Sequence, residues 1–129
     1  MASFALLSQL SEQFDYSEGY RDGVFHFRTV TMPHEAAQHL PSHLLTEKQW
    51  RAAGVKMTRG WKHYATHATE RNILLFRRPL GTDPQTGVAS DEAMRRARER
   101  ELQEQAVEAL VEAARAKQQK MDSGDLDTR

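Results

Sequence analysis

Large aromatic side chains are confined to one part of this chain. Both tryptophans, all three tyrosines, all six histidines and four of the five phenylalanines fall between residues 14 and 80. A core forms where bulky apolar side chains can meet, so this segment is where a packed domain must sit. Residues 91–121 are the opposite case. They contain neither glycine nor proline and are rich in Ala, Glu, Arg and Gln, which predicts one long helix. Ser90 suits its N-cap, with Asp91 and Glu92 favourable in its first turn. At about 1.5 Å per residue it would extend ~45 Å. The total of 129 residues fits one domain with attached tails.

Local patterns divide the chain further. Residues 1–13 carry Phe4, Leu6, Leu7 and Leu10 at helical spacing and predict a short amphipathic N-terminal extension. "FDYSEGYRDG" predicts a weak strand that ends at the Asp22–Gly23 turn. "GVFHFRTVTM" is β-branched and aromatic, hence a strand, and Pro33 stops it. "PHEAAQHL" suits a short helix between Pro33 and Pro41. In "TEKQWRAAG", Thr46 can cap a second helix and Gly54 can close it. "GWKHYATH" and "NILLFRRPL" predict two further strands joined by the short connection "ATER". The expected fold is α+β: a small four-stranded antiparallel sheet with two short helices, in the order ββααββ, plus the long C-terminal helix. Residues 81–90, beginning "GTDPQTGVA", form a linker, and 122–129 predict a disordered tail.

Composition excludes several functions. Lysine and arginine total 18 and so do aspartate and glutamate, a balance that argues against a general nucleic-acid or membrane-surface binder. The segment 91–129 has eight basic and ten acidic residues, so a nucleic-acid arm is not expected there either. There is no cysteine, hence no disulfide, thiolate nucleophile or thiolate metal site. The N-terminus does not read as a signal peptide, and no apolar run approaches the ~20 residues of a membrane span. A soluble intracellular protein is expected.

In "NILLFRRPL", residues 74, 76 and 78 share one sheet face and 73, 75 and 77 the other, so Arg77 and Arg78 diverge. Arg28 is a single cation in an aromatic strand. A guanidinium is planar and permanently charged, and its fork matches phosphate or carboxylate oxygens. Arg28, one of Arg77 and Arg78, an indole wall from Trp61 and the Thr58 hydroxyl could hold a dianionic phosphate. Taken alone, both arginines read more simply as solvated residues guarding strand ends. Trp50 reads as a core anchor, whereas Trp61 fits a core role or a ligand wall. His63 and His67 fall on one face of a strand, but no third ligand completes a metal site. No glycine-rich phosphate loop and no nucleophile with its base is present, so neither an enzyme nor a cofactor is expected.

"FHFRTVTMP", "LTEKQWRAAGV", "GWKHYATH" and "NILLFRRPL", in this order, resemble the Cks family of cyclin-dependent kinase regulatory subunits. The resemblance covers residues 14–80. It implies a non-catalytic adaptor of nucleus and cytoplasm that binds a cyclin-dependent kinase and docks phosphothreonine–proline sites of substrates, promoting multisite phosphorylation in cell-cycle control. By position, the phosphate pocket would be Arg28, Thr58, Trp61 and Arg78. The kinase surface would include Tyr64, His67 and Glu70, with Ala65, Thr66 and Asn72 beside them.

Two departures from the family pattern stand out. The family's first-strand cation falls at Gly19 here, and Arg21, two residues on, is expected to replace it. The segment His67–Asn72 lacks the family's two prolines, which leaves open whether the last strand stays in the monomer or is exchanged in a homodimer. The helix carries Val107, Leu110, Val111 and Ala114 on one stripe, suited to the N-terminal segment, to a second copy or to a partner helix. Two other readings compete: a single-strand nucleic-acid binder, and a divergent Cks-fold scaffold that acts through this helix without a kinase.

Overall fold

The computed structural model describes residues 2–122. These fall into two units, one ending at Met94 and one starting at Arg95. The first contains the sheet. Helix α1 (Phe4–Gln9) is followed by a 3-10 turn at Ser11–Gln13, then strands β1 (Asp15–Tyr16), β2 (Tyr20–Arg21) and β3 (Phe25–Thr31). A 3-10 helix at His34–His39 precedes α2 (Glu47–Ala52), β4 (Lys62–Thr66) and β5 (Ile73–Pro79). Helix α3 (Asp91–Asp122) begins in the first unit and makes up the described part of the second. The domain is α+β, and its strands are all antiparallel, in the order β1-β3-β5-β4 with β2 also on β3.

The expected first strand is broken in two. Asp15 pairs with Thr31 and Tyr16 with Val30, but Tyr20 pairs with Phe27 and Arg21 with His26, a register displaced by one residue. Between the two pieces, Ser17 ties itself to Thr29 through both its backbone and its hydroxyl. Gly19 takes φ +86°, and a Cβ there would stand 2.3 Å from the Phe27 carbonyl oxygen. A side chain at position 19 is therefore excluded from this backbone.

Helix positions follow local chemistry. Ser3 caps α1 by accepting from the Leu6 N–H. Thr46 and Gln49 form a reciprocal capping box on α2. Gly54 closes α2 at φ +100°, where a Cβ would lie 2.8 Å from the Ser11 Cβ. "PHEAAQHL" forms a 3-10 helix rather than an α-helix, with Ala36 bonded back to Pro33 and Leu40 to Ala37. Six residues bounded by prolines leave no room for a sustained i→i−4 ladder.

One sheet face carries the core. Val30, Leu74 and Phe76 pack with Leu7, Ala36, Leu45, Trp50, Val55 and Trp61. Trp50 is fully buried and meets the Phe76 ring edge-on at 5.5 Å, as its core assignment requires. Leu7, from the N-terminal extension, is fully buried too. Phe4 and Leu10 pack against the same cluster, so this extension spends its apolar face on the domain's own core.

Strand β4 starts at Lys62, which leaves Trp61 just before it. The pairing of β4 with β5 slips between His63 and Ala65, opposite Phe76 and Leu75. That bulge overturns the expectation that His63 and His67 share a face. His63 lies on the core side with Phe76, whereas the His67 N–H reaches the Ile73 carbonyl after an extra residue has reversed the alternation. The connection 67–72 folds back as a hairpin that pairs β4 with β5 of the same chain.

Helix α3 runs to Asp122, the last described residue, and Ser90 caps it by accepting from the Ala93 N–H. The expected disordered tail from 123 onward lies outside the described residues. Val107, Leu110 and Val111 of α3 are exposed. Among the described residues, no helix is long and apolar enough to cross a membrane.

Candidate functional site

Strands β2, β3 and β5 meet where the core face runs out, and cations collect there. Arg21 pairs with His26, and His26 pairs with Arg78, so the three form one row across the sheet. Arg28 follows His26 by two residues and stands on the same face. Arg78 lies over the Trp61 ring at 4.4 Å, and the His26 ring is tilted against that indole at 4.9 Å. Trp61 is buried and belongs to the core cluster, while Arg78 and His26 lie against its ring.

Hydrogen bonds hold these groups in place. Arg78 Nη1 donates to the Thr58 hydroxyl oxygen and to the Arg59 carbonyl, each at 2.9 Å. Trp61 Nε1 donates to the same Thr58 oxygen at 3.1 Å. With two donors on its oxygen, Thr58 has its own O–H left to give. Arg28 Nε donates to the Ser17 carbonyl at 2.7 Å, and its guanidinium lies 5.5 Å from the Tyr16 ring centre. Among the described residues no carboxylate pairs with Arg21, Arg28 or Arg78.

The crowding of like charge is visible in the acid–base behaviour. Burial, then Arg28 and Arg21, push the Arg78 guanidinium down from its usual value. Burial, then Arg21, Arg78 and Arg28, lower His26. Such a cluster is costly to assemble without a counter-charge, and it suits a small multivalent anion. A cleft of about 130 Å³ opens beside it, lined by Arg21, His26, Arg78 and the segment Pro79–Thr82.

The sequence-derived pocket residues Arg28, Thr58, Trp61 and Arg78 thus come together, and Arg21 joins them. Arg77 points the other way, buried between the rings of Phe25 at 4.1 Å and Tyr64 at 4.6 Å. His26 was not among the candidates. Its two-residue spacing from Arg28 was the available signal.

The residues expected at a kinase surface are divided. Tyr64 faces Phe27 and Arg77 on the sheet side away from the core. Ala65 sits beside it, opposite Leu75. Glu70 is exposed in the turn. The His67 Nδ1 accepts from the Thr69 and Glu70 N–H groups at 3.3 and 3.0 Å and so shapes that turn. Thr66 and Asn72 are turned inward. The Thr66 hydroxyl is 3.0 Å from His63 Nε2, and the buried Asn72 amide donates to the Met32 carbonyl at 2.8 Å. Among the described residues, no three histidine or acidic side chains converge as a metal site would need.

The family described as "Cyclin-dependent kinase regulatory subunit" matches residues 14–80, just over half of the chain. The chain belongs to the Cks family. "Cyclin-dependent kinases regulatory subunit 2" of Arabidopsis thaliana is 51% identical over 69 residues, covering 53% of this chain and 83% of the plant protein. Its Xenopus laevis namesake is 48% identical over 71 residues, 54% of this chain and 90% of that protein. The Drosophila melanogaster "Cyclin-dependent kinases regulatory subunit" is 46% identical over 71 residues, 54% of this chain and 96% of the fly protein. Cks proteins are named for a regulatory, non-catalytic role. The Cks segment here contains the whole cationic cluster, whereas α1 and α3 lie outside it.

Proposed function

We propose that this Cks protein binds a cyclin-dependent kinase and docks phosphothreonine–proline sites of its substrates, promoting multisite phosphorylation in the cell cycle. One observation carries the docking half: Arg21, Arg28 and Arg78 converge beside the Thr58 hydroxyl and the Trp61 ring with no carboxylate partner among the described residues. Arg78 is braced by Thr58 and the Arg59 carbonyl, so it meets a phosphate already oriented. Arg21 takes over from the cation that Gly19 cannot carry. Tyr64, Ala65, His67 and Glu70 form the kinase-facing surface, with Thr66 and Asn72 fixing its shape. An adaptor of this kind would work in the nucleus and the cytoplasm.

Fluorescence anisotropy with a doubly phosphorylated Thr-Pro peptide tests the docking half. The expected result is micromolar affinity or better, no measurable binding of the unphosphorylated peptide, and at least a tenfold loss in Arg78→Ala, since one charged contact is commonly worth ~1.5–3 kcal/mol. Equal binding of both peptides would remove the proposal. A second reading, action through α3 alone, draws on the exposed Val107, Leu110 and Val111. It requires that the protein capture no kinase.

A further inference from the structure

We propose that His26 is a fourth cationic ligand of the docked phosphate, neutral in the empty site and protonated in the filled one, so that docking takes up a proton. The inference rests on the phosphate-docking reading above and adds to it a residue and a pH dependence.

Position is the first argument. His26 is the middle member of the row Arg21–His26–Arg78, the direct cross-strand partner of both arginines. It lines the same cleft of about 130 Å³. A ligand in this cleft that bridges Arg21 and Arg78 therefore lies beside His26. The second argument is space. A Cβ at Gly19 would stand 3.3 Å from His26 Nε2, so the glycine leaves open the place into which this nitrogen reaches. An imidazole from the neighbouring strand thus reaches the space beside Gly19.

The third argument is the state of the ring. Among the described residues, neither nitrogen of His26 has a hydrogen-bond partner. His63 is the contrast, with both nitrogens engaged. The groups around His26 are Arg28 on its own strand, Arg21 from β2, Arg78 from β5 and the apolar Trp61 ring. The carboxylate of the nearby hairpin, Asp22, accepts from the Val24 and Phe25 N–H groups. Burial, and then the three arginines facing it, disfavour the imidazolium in the empty site. A dianion among those arginines reverses the sign of the local field, which favours protonation and turns a bare ring nitrogen into an N⁺–H donor.

The sign of the pH effect follows. A group whose affinity for protons rises on binding makes binding tighter as pH falls through its bound-state pKa, and the effect levels off below its free-state pKa. The phosphate's own second ionisation, near pH ~6, works in the opposite direction. Comparison with His26→Gln cancels that second effect, because both proteins see the same peptide.

Isothermal titration of a phosphothreonine–proline peptide into the full chain and into His26→Gln, at pH 6 and 8 in buffers of different ionisation heat, reads affinity and proton uptake together. The expected result is near-equal affinity at pH 8 and about fivefold or more in favour of the native chain at pH 6, with greater proton uptake by the native chain. Parallel pH profiles and equal uptake overturn the role of His26 while leaving phosphate docking intact. Absence of peptide binding by the native chain at both pH values overturns docking and this inference together. Should His26→Gln fail to fold, the His26 ring resonances of the native chain are titrated with and without the peptide. A higher midpoint in the complex supports the inference, and an unchanged midpoint overturns it.

Discussion

Among single residues, His63 is changed most by folding. Its ring is 2% exposed, accepts from the Leu45 N–H through Nδ1 and lies against Phe76. Burial lowers its pKa to about 4, against 6.5 in an unfolded chain. The unfolded state therefore binds more protons between those values, so this stability is complete above pH ~6.5 and lost as pH falls toward 4. Denaturant titration at pH 7 and pH 5 should show native stability lower at pH 5 by about 1–2 kcal/mol from this residue. His63→Gln should flatten that difference, and an unchanged pH dependence would refute the assignment. His63 was legible as a histidine on a strand. Its inward placement depended on Leu45, 18 residues earlier, and on a bulge that no local pattern announces.

At the level of elements, the break between β1 and β2 decides how the cationic site is built. Gly19 stands there in a left-handed turn, and Arg21 and His26 are set directly opposite each other. Restoring a cation by Gly19→Lys should therefore fail. The new Cβ meets the Phe27 carbonyl, and the backbone is one that L-residues rarely adopt. Thermal unfolding should show a loss of more than about 1 kcal/mol, with no gain in phosphopeptide affinity. A gain in affinity at unchanged stability would show that the break between β1 and β2 is not maintained. The N-caps at Thr46 and Ser90 and the stop at Gly54 were all readable in advance, because each is settled within four or five residues of chain.

In the molecule as a whole, the two proposed contact surfaces occupy separate parts of the sheet. The anion site lies on β2, β3 and β5 at the rim of the core face. The kinase candidates lie on β4 and its hairpin turn, with Tyr64 on the opposite face. Separation of function should follow. Arg78→Ala should lose phosphopeptide and keep the kinase in a pull-down, and His67→Ala with Glu70→Ala should do the reverse. Loss of both ligands in either variant, with the fold intact, would mean that the surfaces are not independent. The N-terminal extension belongs to this scale as well. Its sequence predicts a short amphipathic extension, and Leu7 of that extension is part of the core.

Taken alone, the sequence determined the element order, the helix caps, the long α3, the divergence of Arg77 from Arg78 and the family. Each follows from sterics and hydrogen bonding over a few residues, or from motifs carried intact. Only the tertiary structure decided that the first strand breaks at Gly19, that His63 and His67 part company, that Asn72 turns inward and that His26 stands among three arginines. Strand register and bulges are set by what the partner strand offers across the sheet, and that partner lies far away along the chain.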